Sequence, residues 1–218
     1  MNRHIARKTP ASLIVAKTIV HALALAPLSL LAWKFWQVFS ETNIDALGAD
    51  PVAAIEHELG TWALRLLLLT LAITPLRQLS VQPVLLRFRR MLGLYAFAYA
   101  SLHFAAYLVL DLRGYWAQLF EEIAKRPYIT VGFAAWLLLV PLALTSTQGW
   151  MRRLGRVWGR LHALVYAIAV LAVLHFWWIV KSDYREPLLY AAILALLLGW
   201  RAWKRLSKRP ARRPASSA

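Results

Sequence analysis

Six apolar runs alternate with short polar segments along the chain, at 18–39, 60–76, 91–111, 128–147, 158–181 and 187–203. A membrane-crossing helix needs about 20 mainly apolar residues, and each run approaches or exceeds that length. Lys17 precedes the first run, and Lys34 near its far end can lay its stem along the helix with the ammonium in the headgroup layer. Pro75 and Arg77 end the second run, and Pro127 opens the fourth, where a proline suits the first helical turn. The pattern predicts an all-α membrane protein, a six-transmembrane-helix bundle over 18–203 with no soluble domain and no sequence repeat. An N-terminal segment, 1–17, precedes it. A Lys/Arg tail rich in Pro and Ser, 204–218, follows, and its composition predicts disorder. The basic-then-apolar N-terminus resembles a signal peptide, but no small-residue cleavage site follows, so the first span is expected to stay uncleaved.

Charge sorts by loop. Arg3, Arg7 and Lys8 precede the first run; Arg77, Arg87, Arg89 and Arg90 lie between the second and third; Arg152, Arg153, Arg156 and Arg160 lie between the fourth and fifth. The intervening loops are acidic or mixed, with Glu41, Asp45, Asp50, Glu56 and Glu58, then Glu121 and Glu122 beside Lys125 and Arg126, then Lys181, Asp183, Arg185 and Glu186. Cytoplasmic loops collect Lys and Arg, so both termini are expected in the cytoplasm, with odd-numbered spans running outward.

Composition narrows the class. The chain is 60% hydrophobic, above the roughly 45–50% of soluble domains, which excludes a single water-soluble core. The net charge of +16 lies between apolar runs and in the tail, a membrane-topology pattern rather than a nucleic-acid footprint. There is no cysteine, so disulfides, zinc–thiolate sites and iron–sulfur clusters are excluded. Any metal must rest on histidine or oxygen.

Six histidines are present. His4 reads as a solvated tail residue, His21 as an interhelical hydrogen-bonder, and His57 as a surface residue on a short interfacial helix around PVAAIEHELG. His103, His162 and His175 lie inside apolar runs, where an unsatisfied polar group costs several kcal/mol and an ionisable residue marks a candidate functional site. Tyr95, Tyr99, His103 and Tyr107 recur every fourth residue and share one helix face. At 1.5 Å per residue, His103 stands about 18 Å from the inner end of its span, His175 about 25 Å and His162 about 6 Å. Depth therefore pairs His103 with His175. Two imidazoles on facing helices at one level can clamp a haem iron from both sides, the arrangement of an electron carrier with no open position for dioxygen. His162, about 20 Å from His175 along the axis, is expected to serve a second redox centre or to act as an alternative ligand. The residue fourteen before His103 is Arg89, so no histidine faces His162 from the third span. Thirteen residues also leave His162 and His175 about 140° apart on a straight helix, so the span is distorted or the two serve different neighbours. The competing reading is interhelical hydrogen bonding with the tyrosines, or a small histidine-dependent transporter or proton channel without haem. Proton relays usually add intramembrane carboxylates, and the six runs contain none apart from Asp111 at the very end of the third.

Supporting residues fit a bound macrocycle. Gly93, Ala96, Ala100 and Gly159 permit close approach. Tyr99, on the face of His103, is a candidate cofactor contact. Arg89, Arg90, Arg152, Arg153, Arg156 and Arg160 are candidates for haem propionates or a flavin phosphate, and Arg65 for the propionates of an outer haem. Trp177 and Trp178 sit where an interfacial aromatic belt is expected.

The runs TWALRLLLLTLAITPLR, RRMLGLYAFAYASLHFAAYLVLD, RPYITVGFAAWLLLVPLALTSTQ and RLGRVWGRLHALVY resemble the MsrQ family (older name YedZ), over 48–201. The resemblance implies a haem-binding membrane subunit of a bacterial system that repairs oxidised methionine in periplasmic proteins, within the ferric reductase and NADPH oxidase transmembrane superfamily. It implies b-type haem and FMN as cofactors, and a place in the bacterial inner membrane. It also implies electrons taken from the quinone pool or a cytosolic flavin reductase and passed to a periplasmic molybdopterin subunit, MsrP. The superfamily's histidine pattern maps onto His103, His162 and His175, with its fourth position at Arg89. The residues given contain no Rossmann glycine motif and no FAD/NADPH domain of the oxidase kind, so the donor is expected to be a separate protein or a quinone. It is expected to carry electrons within an oxidoreductase complex and to do no methionine chemistry itself, having no thiol or molybdenum ligand set. The first outer loop, 41–58, is the expected docking surface for the partner.

Overall fold

Asp50 and Pro51 write the start of the longest helix. The Asp50 carboxylate accepts from the Ala53 N–H at 3.0 Å, and Pro51 occupies the first helical position, where its missing N–H costs nothing. In the computed structural model, which describes residues 11–207, this helix is α2 (Pro51–Ser80). The others are α1 (Ala11–Phe39), α3 (Leu86–Ala106), α4 (Trp116–Lys125), α5 (Pro127–Leu144), α6 (Gln148–Leu154), α7 (Arg156–His162), α8 (Val165–Ile179) and α9 (Arg185–Ser207). A 3-10 turn, Pro83–Leu85, leads into α3, and a π-helical turn, Tyr107–Asp111, continues it. No strand occurs among the described residues. His4 and the tail beyond Ser207 lie outside them.

Five helical stretches among the described residues are long and apolar enough to cross a membrane: Ala11–Phe39, Pro51–Ser80, Pro83–Asp111, Pro127–Leu144 and Arg156–Ile179. The sixth run forms α9, which carries Arg185, Glu186, Arg201, Lys204 and Arg205 at its ends and falls short of the same measure. Several expected boundaries move. Helix α1 already includes Lys17, and α9 continues through Lys204 to Ser207, past the expected start of the tail. Because α2 begins at Pro51, Glu56 and His57 belong to its body rather than to an interfacial helix, and a carboxylate stands inside a span-length helix after all.

Helix α2 is the spine. Leu59, Leu64, Leu66, Leu67, Leu68 and Leu71 are all buried, while α1 turns Ile19, Leu23, Trp33 and Trp36 outward, the surface expected where lipid is the solvent. Two proline defects are each closed by a side chain from another helix. Pro75 has no N–H for the Leu71 carbonyl, and the Arg201 guanidinium of α9 donates to that carbonyl instead. Beside Pro27 in α1, the Tyr99 hydroxyl donates to the Ala24 carbonyl at 2.7 Å and accepts from the Leu28 N–H at 3.1 Å. Gly93 faces Thr70 of α2, where an added Cβ would make ordinary van der Waals contact at 3.7 Å, and Gly159 faces open space, so neither close approach expected at these two glycines depends on the missing Cβ.

Candidate functional site

His103 on α3 and His175 on α8 face one another, with ring centroids 6.1 Å apart and planes at 74°. Each ring is anchored through Nδ1. His103 Nδ1 lies 2.9 Å from the Glu56 carbonyl of α2, and His175 Nδ1 lies 2.7 Å from the Tyr128 carbonyl of α5. A carbonyl only accepts, so each Nδ1 carries the proton and each Nε2 keeps its lone pair. Neither Nε2 hydrogen-bonds a described residue. A carbonyl that accepts from the far ring nitrogen, and so sets tautomer and ring direction, is the usual support for a metal-ligating histidine.

Glycines make room for both rings. A Cβ at Gly60, one turn beyond Glu56, would stand 3.2 Å from His103 Cε1 and Nδ1. A Cβ at Gly132, one turn beyond Tyr128, would stand 2.6 Å from His175 Cε1 and Nδ1, a distance real side chains do not sustain. The two devices match position for position. Each histidine lies 47 residues after the residue whose carbonyl it uses. Along α2 and α5, Gly60, Ala63 and Leu67 correspond to Gly132, Ala135 and Leu139; along α3 and α8, Ala100, Leu102, His103 and Phe104 correspond to Ala172, Leu174, His175 and Phe176. The site thus consists of two similar helical hairpins, α2–α3 and α5–α8, and the expectation of no repeat is corrected. The matching positions are scattered one or two to a turn among ordinary Leu and Ala, so the repeat is visible only once the cavity-facing positions are known.

Between the hairpins lies a cavity of about 1020 Å³, at the upper end of the ~300–1,000 Å³ usual for small-molecule sites. Small residues from all four helices (Gly60, Ala100, Gly132, Ala172) line it together with the two histidines, Phe104 and Phe176. An imidazole nitrogen about 2 Å from a metal puts the ring centroid about 3 Å away, so rings on opposite sides of one metal stand about 6 Å apart. The observed separation fits. Among the described residues, no group of three His, Cys, Asp or Glu side chains is placed to hold an ion. Two opposed imidazoles in a largely apolar cavity of this size therefore suit a metal whose remaining ligands come from a macrocycle, as haem iron's do.

The other sequence candidates lie elsewhere. His162 ends α7, where its Nδ1 lies 3.1 Å from the Trp158 carbonyl and its ring stacks on Trp158 at 3.9 Å. It does not line the cavity, and its buried Nε2 has no partner among the described residues. The helix breaks just after it, at Ala163 and Leu164, and the two histidines of this span serve different neighbours, one of the two outcomes that the 140° offset allows. Tyr99 is spent on the α1 backbone rather than on the cavity. The i, i+4 stripe drifts by about 40° per step, so Tyr95 and Tyr99 meet α1 while His103 and Tyr107 reach the cavity. His21 makes the expected interhelical bond, to Tyr95 at 2.7 Å. Arg65 turns away from the cavity: its Nε donates to Tyr190 of α9 at 2.8 Å, and its guanidinium covers Trp62. Arg89, Arg156 and Arg160 are also absent from the cavity wall. Glu56, by contrast, lines the cavity with its Oε1 buried and unpartnered among the described residues. The Asp50-Pro51 helix start was the signal that could have placed it there.

These features define a class first: a helical transmembrane bundle that presents two opposed histidines to one buried slot. Residues 59–173 match the family described as "Ferric reductase like transmembrane component". The chain belongs to the MsrQ family: it is 75% identical over 202 residues to the "Protein-methionine-sulfoxide reductase heme-binding subunit MsrQ" of Xanthomonas oryzae pv. oryzae (strain MAFF 311018), covering 93% of this chain and 92% of the relative. The proteins of that name from Xanthomonas axonopodis pv. citri (strain 306) and Caulobacter vibrioides (strain ATCC 19089 / CIP 103742 / CB 15) are 74% and 46% identical, over 93% and 91% of this chain and 92% of each relative. No solved structure gives a significant match.

Proposed function

We propose that this chain is a haem-binding membrane electron-transfer subunit, with His103 and His175 as the axial ligands of one b-type haem. The observation that carries the reading is the opposed imidazole pair, each ring fixed through Nδ1 by a carbonyl of the neighbouring helix with its Nε2 left unengaged. The names of the relatives, heme-binding subunits of a protein-methionine-sulfoxide reductase, support it. A bound haem supplies a one-electron iron couple. His103 and His175 would hold the iron through Nε2, and the largely apolar lining of the cavity would keep water from it.

In this reading six spans cross the bacterial inner membrane with both termini in the cytoplasm, which places the α4 end of the bundle outside. Electrons enter from the quinone pool or a cytosolic flavin reductase and leave to a periplasmic molybdopterin subunit of the MsrP type, which repairs oxidised methionine. His162 stands toward the donor side as a second-site or alternative ligand. FMN belongs to the proposal through the family resemblance, and no residue of the cavity is assigned to it.

One observation favours a second reading. Glu56 adds a buried carboxylate to a cavity that already holds two histidines, the combination a proton path uses. Absorption spectra of the purified protein, oxidised and then dithionite-reduced, separate the two. The haem reading predicts a Soret band and sharpened reduced bands, both lost in His103→Ala. Colourless protein with proton flux would establish the channel instead.

A further inference from the structure

The cavity is polar at one end only. Its floor is apolar, with Leu67, Ala96, Leu139 and Ile168, the last of these seven residues and about 10 Å below His175. Its mouth, at the α4 end, carries Glu56, Asp111, Arg126 and Lys181. These charges are segregated by hairpin. Glu56 and Asp111 belong to the α2–α3 half, whereas Arg126 immediately precedes α5 and Lys181 closely follows α8. Arg126 is held in place by Glu122, 2.7 Å from its Nε, and by the Tyr128 hydroxyl, 3.1 Å from one terminal nitrogen. Its other terminal nitrogen and the Lys181 ammonium have no partner among the described residues. Lys181 lies six residues past His175, about 9 Å along the axis if the helical rise continued, within reach of the mouth for a four-carbon side chain.

A haem has one edge of vinyl and methyl groups and one edge of two carboxylates. Resting on the haem assignment above, we propose that its propionates lie at the mouth against Arg126 and Lys181 and its vinyl edge lies on the Leu67–Leu139–Ile168 floor. The anionic α2–α3 side repels the propionates, and the cationic α5–α8 side draws them. The contrast between a mouth that carries two cations and an apolar floor therefore fixes rotation of the macrocycle about the line joining the two histidines, a setting that the histidines alone leave open. The sequence candidates for this role, Arg65, Arg89, Arg156 and Arg160, are all outside the cavity wall. The acid edge of the haem then points toward the electron acceptor and the apolar edge toward the donor.

The test compares haem b with its dimethyl ester, which lacks the two charges, in reconstitution of full-length haem-depleted protein. Wild type is expected to retain haem b about tenfold longer than the ester against an apomyoglobin trap, the scale of one lost hydrogen bond to a charged group. Arg126→Gln with Lys181→Gln should bring the ratio close to one while the low-spin spectrum persists. Arg185→Gln, an outer cation beyond the cavity, should leave the tenfold preference intact. An unchanged preference in the double variant would overturn this orientation while leaving the histidine pair standing. Wild type with no Soret band for either compound would overturn the haem assignment itself.

Discussion

His175 and His162 lie on one span, thirteen residues apart, in opposite kinds of setting. His175 is tied through Nδ1 to a carbonyl of another helix, 47 residues away, and a glycine on that helix clears space for its ring. His162 is tied to a carbonyl of its own helix, four residues back, and stacks on Trp158 of the same turn. The first arrangement forms only when α5 and α8 have packed, so tertiary structure holds the ring ready for a ligand. The second forms locally and leaves Nε2 buried and unpartnered among the described residues. A histidine inside a membrane is thus a weak sign of a ligand. A histidine with a cross-helix carbonyl and a glycine opposite is a stronger one.

Six substitutions grade that contrast. The largest effect is expected from His103→Ala or His175→Ala, each removing more than about nine-tenths of the bound haem in a pyridine haemochromogen assay, since the ligand and the carbonyl hydrogen bond that orients it are lost together. Gly132→Ala comes next. Its Cβ would meet the His175 ring at 2.6 Å, and overpacking of that kind costs roughly 1–3 kcal/mol. Conversion of low-spin to high-spin haem, or lost haem, is the readout. Gly60→Ala, at 3.2 Å from His103, should do the same to a smaller extent, and a reversed order of the two would contradict the structure. His162→Ala should leave the low-spin spectrum in place and change haem content or potential less than either ligand variant. Tyr99→Phe is the smallest. It strips one hydroxyl from the α1 backbone at about 1 kcal/mol, lowering the melting temperature in detergent with no spectral change.

Much of this arrangement is legible in the chain. Run lengths mark the spans, and depth along the helix, at 1.5 Å per residue, pairs His103 with His175 ahead of His162. Depth says nothing of azimuth, however. That is why Tyr99 reads as a cofactor contact when its hydroxyl repairs α1 beside Pro27, and why Arg65 reads as a propionate partner when it reaches Tyr190. Helix starts written in polar residues are also hard to see against apolar runs. Asp50-Pro51 begins α2 nine residues before the hydropathy rises, which carries Glu56 into the cavity wall and shortens the first α4-end loop to 40–50. The amphipathic α4 escapes a search for apolar runs because only one of its faces is apolar. The hairpin repeat escapes because its equivalent residues are too few and too ordinary to stand out until they meet around one slot.

Low-temperature electron paramagnetic resonance of the oxidised, purified protein tests the His103–His175 axis most directly, because two axial imidazoles give a low-spin ferric signal that a single one does not. The structure predicts that signal in wild type and in His162→Ala, and its disappearance in both His103→Ala and His175→Ala. A low-spin signal that survives either of the last two substitutions unchanged would contradict the assignment.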